Sequence, residues 1–269
     1  MNILICVKQV PDTETVKVRV DTESHTIVRE NVDAVMSVFD GYALEAAARL
    51  KDSEPDIKLV ALTMGAESSK AVLKESLSIA ADQAYQICDP VFAGSDAKAT
   101  AYILAEAIKV IEEKEGRFDA VFCGKQSVDG ETGLVSAAIA ERLNMPQVTG
   151  CTEAEHIGNC LAVKKEIKGG FQRVNVEMPC VVTFAKPEWE HRYPTIKRKM
   201  AANRAVIPIL NSADIPGLDG NKVGLAGATA KILRTYEPEK KSGGLRIEEE
   251  TPELSAAKLC AMMKNKGII

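Results

Sequence analysis

Residues 124 to 133 read Gly124, Lys125, Gln126, Ser127, Val128, Asp129, Gly130, Glu131, Thr132 and Gly133. Glycines permit close backbone approach and positive φ, and the free N–H groups at the start of a following helix can receive a phosphate. Ser127, Asp129, Glu131 and Thr132 add hydroxyl and carboxylate partners for a ribose or phosphate. The apolar run 118–123 comes just before this loop, and a helical pattern opens near Thr132. The loop therefore belongs at the carboxyl end of a strand, where open α/β sheets bind ligands. A plain helix cap built on Asp129 or Thr132 accounts for the same residues equally well. The spacing is neither the Walker pattern nor Gly-x-Gly-x-x-Gly, which argues against a P-loop NTPase and an ordinary Rossmann dehydrogenase.

Two further strand ends should lie beside the loop. One runs from Cys6 through Lys8 to Asp12, and the other from Leu62 through Met64 and Gly65 to Ala66. Ser37, Val38, Phe39 and Asp40 lead into the first crossover helix and offer another pocket edge, although Asp40 serves equally as a helix N-cap. No nucleophile elbow, Cys/His pair or metal-spaced carboxylate cluster occurs, so no catalytic residue and no metal ligand is assigned. His25, His156 and His191 have no ligand-like spacing and are expected in loops or at the surface. Any reactivity comes from a bound cofactor that the protein positions and tunes.

The elements that must position these residues follow from periodicity. Strand-like runs at 3–7, 58–64, 84–88 and 120–123 alternate with helical stretches at 41–51, 68–79, 97–114 and 132–143. That alternation gives right-handed β-α-β crossovers, hence an α/β fold with a doubly wound, mainly parallel sheet. The segment 17–29 alternates polar and apolar residues, as a small hairpin does. Runs at 160–168 and 174–184 flank Gly169 and Gly170 and predict an antiparallel hairpin at the sheet edge. Beyond Lys186 periodic apolar runs thin out until a helical stretch at 252–264. We therefore divide the chain into a nucleotide-binding domain, 1–186, and a C-terminal arm, 187–269, that packs on another subunit.

Composition bounds the class. The 269 residues carry 34 basic and 38 acidic side chains, a formal charge of -4, which argues against nucleic acid as a partner. The seven scattered cysteines include no Cys-x-x-Cys pair and read as reduced thiols, mostly small core residues. The N-terminal apolar run is far too short to span a bilayer and is expected to be a buried strand of a cytoplasmic chain, without membrane insertion.

Several stretches together carry a resemblance. They are Ile5-Cys6-Val7-Lys8-Gln9-Val10-Pro11-Asp12, then Met36-Ser37-Val38-Phe39-Asp40 followed by Ala43-Leu44-Glu45-Ala46-Ala47, and then Gly124-Lys125-Gln126-Ser127-Val128-Asp129-Gly130. The hairpin from Val163-Lys164-Lys165-Glu166 to Pro179-Cys180-Val181-Val182-Thr183 and the stretch Arg192-Tyr193-Pro194-Thr195-Ile196 complete them. Over nearly its whole length the chain resembles the beta subunits of electron-transfer flavoproteins. It departs from them at Lys168, where the family usually has an acidic residue, and at Ser37-Val38, where it usually has Asn-Pro.

The resemblance implies a heterodimer with an alpha subunit that carries an electron-transferring FAD. Ordinary beta subunits bind AMP; in the electron-bifurcating branch the same pocket takes a second FAD, which accepts hydride from NADH. The compact Asp129-Gly130-Glu131-Thr132 looks like that second branch. One electron then goes to ferredoxin or flavodoxin and the other, through the alpha-subunit FAD, to a flavin-dependent dehydrogenase acting on an acyl-CoA or a hydroxy acid such as lactate, reversibly. The chain is thus read as a redox subunit, active only with its partners. By residue-wise resemblance the pocket comprises Cys6, Ser37, Val38, Phe39, Asp40, Met64 and the stretch from Gly124 to Thr132. Arg192, Tyr193, Thr195, Ile196 and Lys197 resemble the family's partner-recognition loop, with Ile196 as its apolar anchor.

Overall fold

A computed structural model of the chain describes residues 1–12, 19–20, 27–28, 33–230 and 243–269. The strands and helices follow in chain order: β1 (Asn2–Cys6), β2 (Gln9–Pro11), β3 (Arg19–Val20), β4 (Ile27–Val28), β5 (Ala34–Met36), α1 (Val38–Ser53), β6 (Lys58–Met64), α2 (Lys70–Ile79), β7 (Gln83–Ile87), α3 (Ala97–Glu115) and β8 (Ala120–Gly124). Then come α4 (Val135–Leu143), β9 (Gln147–Ile157), β10 (Cys160–Ile167), β11 (Gly170–Glu177), β12 (Cys180–Phe184), α5 (Ile196–Arg204), β13 (Ile209–Leu210), α6 (Gly224–Gly227) and α7 (Pro252–Asn265).

Nine of these strands form one sheet in the order β11-β10-β9-β12-β8-β1-β6-β7-β13. Pairing is parallel from β9 through β13 and antiparallel only among β9, β10 and β11. The expected α/β class with an antiparallel edge hairpin is therefore present. Successive residues of β1 divide between two cores. Ile3 and Ile5 face α1 and α2, while Leu4 faces α3. Alanines at 43, 46 and 47 leave α1 little side-chain bulk, so the helix lies close over β8, β1 and β12.

The structure revises one expected strand and adds two features that the sequence did not show. The run 174–184 is not one strand: β11 ends before Pro179, which has no N–H to give a ladder, and β12 leaves to pair between β9 and β8. The eleven-residue β9 carried no clear alternation in sequence, because Gly150, at φ 73°, sits in a stretch where the pairing register shifts. Residues 205–223 lie on the α/β body, where β13 adds an edge strand beside β7 and Ile207, Leu210, Ile215 and Val223 are buried. By contrast α7 has no buried residue in this chain. Of the expected hairpin at 17–29, the antiparallel pairing of β3 with β4 lies within the described residues.

No helix among the described residues is long and apolar enough to cross a membrane. The cysteines are free thiols, three of them buried, three partly exposed and Cys260 exposed, so fewer serve as core than expected. His156 sits in β9 and contacts Glu54, and His191 stacks on Tyr42 at 4.7 Å, while His25 lies outside the described residues.

Candidate functional site

From β1 the sheet grows through β6 and β7 on one side and through β8 and β12 on the other. The crevice above such a reversal is where open α/β sheets take ligands. A cleft of about 400 Å³ opens there. Its floor is made by the strand ends, with Cys6, Met64 and Cys123, and its walls by the loop after β8 and the loop before α3. Leu62, Phe92 and Leu104 give the floor an apolar character.

Asp40 holds this geometry together. The sequence left it as a possible N-cap, but the helix begins at Val38, Ser37 is the cap residue, and Asp40 points across the strand ends. Its Oδ2 accepts the Lys8 N–H at 2.8 Å and its Oδ1 accepts the Gly124 N–H at 3.0 Å. One carboxylate thus ties the ends of β1 and β8 to α1. Burial pushes Asp40 up to about 7, against the pull of those two N–H groups and of the Lys8 charge. Because each oxygen accepts a different N–H, the hydrogen bonds suit the ionised form. The approach also explains Gly124: a Cβ there would stand 2.4 Å from Asp40 Oδ1 and 2.8 Å from its backbone nitrogen.

Lys8 is not merely solvated. Its Nζ lies 2.7 and 2.8 Å from the two Asp129 oxygens and 3.3 Å from Ser127 Oγ, pinning the glycine-rich loop over β1. Burial works to raise the Asp129 carboxyl, but the Lys8 hydrogen bond and charge overcome it and hold it below its ordinary value. The Glu131 N–H closes the loop on the Ser127 carbonyl at 2.9 Å, with Glu131 itself at φ 51° and Gly133 at 61°. Of Gly124, Gly130 and Gly133, which the sequence marked as permitting close approach or positive φ, Gly133 adopts positive φ and Gly124 the close approach.

Two helix N-termini reach the cleft, and they differ in charge. At α3, Asp96 Oδ1 accepts the Ala99 N–H at 2.9 Å, so a carboxylate already occupies that end. Asp96 Oδ2 also accepts from the Thr229 N–H, the Thr229 hydroxyl and the Ala230 N–H. Burial works to raise the group, but these bonds hold it well below the usual carboxylate range. At α4 there is no side-chain cap: the helix starts at Val135, later than expected, and neither Asp129 nor Thr132 caps it. Leu134, Val135 and Ser136 line the cleft there. An uncapped helix N-terminus beside a glycine-rich loop is an anion seat.

Of the expected pocket residues, Cys6, Asp40, Met64, Gly124, Lys125, Gln126, Ser127, Gly130 and Thr132 line the cleft. Ser37 is fully buried behind it, Val38 is exposed, and Phe39, Val128, Asp129 and Glu131 are not among the lining residues. The loop with Phe92, Gly94, Ser95 and Asp96, together with Thr100 and Leu104 of α3, was missed. The available signal was Asp96, an N-cap residue type immediately before the helical stretch at 97–114.

A second region gathers the expected partner-recognition residues. Arg192 meets Glu45, only 2 % exposed, through Nε at 2.8 Å, and meets Asp52 at 2.7 Å. Thr195 caps α5, and Arg198 donates to the carbonyls of Leu77 and Ala81 at the end of α2. Arg192 and Thr195 are therefore engaged within the chain. Between these anchors Tyr193 is 93 % and Ile196 82 % exposed, with Lys197 also exposed. The segment thus presents two large apolar side chains to solvent side by side with a lysine.

The model of the "Electron transfer flavoprotein domain" matches residues 24–215, more than half of the chain. The chain is also 40% identical over 252 residues to the electron transfer flavoprotein subunit beta of Megasphaera elsdenii, covering 93% of this chain and 92% of that one. The chain belongs to the electron transfer flavoprotein family, as a beta subunit. It is similar, at 35% identity over the full length of both, to subunit CarD of the caffeyl-CoA reductase-Etf complex of Acetobacterium woodii. It is 33% identical, over 92% of each chain, to the acryloyl-CoA reductase electron transfer subunit gamma of Anaerotignum propionicum. The family is flavin- and nucleotide-associated, and the cleft has the chemistry to accept such a group: apolar side chains at its base, hydroxyls at its side, and the open α4 end.

Proposed function

We propose that the cleft holds FAD and that this beta subunit serves an electron-bifurcating complex, formed with an alpha subunit that carries a second FAD. The observation that carries the reading is the uncapped N-terminus of α4 beside the compact loop from Gly124 to Gly133, above an apolar floor. In this reading the phosphates sit at Leu134, Val135 and Ser136, away from the α3 end, where the Asp96 carboxylate repels them. Gln126, Ser127 and Thr132 offer hydrogen bonds to the polar part, and Cys6, Met64 and Phe92 pack against the ring system.

When bound, FAD supplies the chemistry that takes hydride from NADH and sends one electron to ferredoxin or flavodoxin and one, through the alpha-subunit FAD, to a dehydrogenase. The chain's own part is to bind, orient and shield. Lys8 and Asp129 hold the loop shut, and Asp40 fixes the strand ends beneath it. Ile196 and Tyr193, presented by the Arg192 clamp, form the dehydrogenase contact, and α7, with exposed Leu254 and Leu259, packs on the alpha subunit. The two relatives named for caffeyl-CoA and acryloyl-CoA reductases support an acyl-CoA-type dehydrogenase as the partner.

The test is NADH titration of the natively purified complex, with ferredoxin present and absent. Ferredoxin reduction that requires both NADH and the dehydrogenase's substrate supports the reading, and a complex with no NADH-reducible flavin contradicts it.

A further inference from the structure

The floor of the cleft carries two thiols, Cys6 and Cys123, whose sulfur chemistry the proposed cofactor binding does not call on. Cys6 closes β1, and Cys123 lies just before the end of β8, next in register after the paired Ile5 and Phe122. Opposed residues of neighbouring strands sit about 4.8 Å apart at Cα, inside the roughly 4.4–6.8 Å that a disulfide spans. Both side chains face the α3 side of the sheet and both line the cleft. The neighbouring Cys6 thiol, together with burial, pushes the Cys123 thiol well up. Access differs between them: Cys6 is partly exposed, whereas Cys123 is 6% exposed. Cys151 and Cys180 are both buried under α1, outside the cleft lining, and the register sets Cys151 opposite Phe184, four residues beyond Cys180.

We infer that Cys6 and Cys123 are a dithiol modification site that small-molecule disulfides oxidise to a protein disulfide when the cleft is free of its cofactor. The accessible Cys6, as thiolate, attacks one sulfur of the external disulfide, forming a mixed disulfide and releasing one thiolate. Cys123 then gives its proton to solvent and attacks the Cys6 sulfur, expelling the second thiolate. The protein loses two electrons and two protons, and the external disulfide becomes two thiols. A ligand on the cleft floor covers Cys6 and denies the first attack. That protection alone rests on the proposed nucleotide site; the pairing of the two thiols does not.

The experiment compares the natively purified complex with the same complex stripped of its cofactors. Each is incubated with oxidised glutathione, alkylated, digested and mapped by mass spectrometry. The stripped complex should lose both thiols to alkylation and yield a Cys6–Cys123 cross-linked peptide, without a Cys151–Cys180 one. Cys6→Ser should abolish the cross-link, and re-added FAD should protect the unmutated protein. A glutathione adduct resting on Cys6, with Cys123 still free for alkylation after unfolding, overturns the inference. A cross-link that forms equally fast with saturating FAD or AMP upholds the dithiol and contradicts the placement of the cofactor.

Discussion

Asp40 binds the ends of two strands through one carboxylate, so its effects should separate from those of ordinary surface acids. With its carboxyl raised from 3.8 to about 7, the folded chain holds a proton there that the unfolded chain has released. The Asp40 contribution to stability therefore falls as pH rises from about 4 to about 7 and is flat above, with a slope of up to about 1.4 kcal/mol per pH unit. The difference in urea stability between the unmutated chain and Asp40→Asn should carry this slope across that window, because the opposite contribution of acids held low, such as Asp96 and Asp129, is common to both; parallel curves would count against the assignment. At Gly124 the backbone of Phe39 and Asp40 leaves no room for a methyl group. Gly124→Ala should cost about 1–3 kcal/mol in the same assay, the usual effect of overpacking. The sequence offered Gly124 and Asp40 as separate pocket candidates but not as partners, since 84 residues separate them and the packing of α1 over β8 brings them together.

Among the elements, the strand-helix alternation through α4 was legible because long apolar runs and amphipathic helices announce themselves by period. The boundary at α4 was not. Asp129 and Thr132 are good capping types, yet the Lys8 bridge holds Asp129 elsewhere, and the helix starts at Val135 with its end open. The wall from Phe92 to Asp96 escaped notice because its role depends on where residues 224–230 return, which no local pattern reports. The recognition segment offers a paired test of element against anchor. Arg192→Met removes charged hydrogen bonds to the buried Glu45 and should cost about 2 kcal/mol of stability. Ile196→Asp, at an exposed site, should change stability by less than about 0.5 kcal/mol yet strongly slow electron transfer to the dehydrogenase. Denaturant melts beside a coupled dehydrogenase assay distinguish the two, and equal effects in both assays would dissolve the distinction between clamp and anchor.

At the scale of the whole molecule, a two-sided α/β body presents its cleft at the sheet's reversal and exposed apolar side chains elsewhere, on α5 and α7. The fold class and the family were readable from sequence because both rest on patterns spread along the chain. The reach of the C-terminal region was not, because α7 buries nothing within its own chain. Deleting residues 243–269 should leave the thermal midpoint of this chain unchanged while abolishing co-purification with the alpha subunit; a large drop in the midpoint would place α7 on its own body instead. Whether the cleft takes FAD is decided by the cofactor content of the natively purified heterodimer. Two FAD and no AMP per heterodimer is the result expected, and one FAD with one AMP would contradict it.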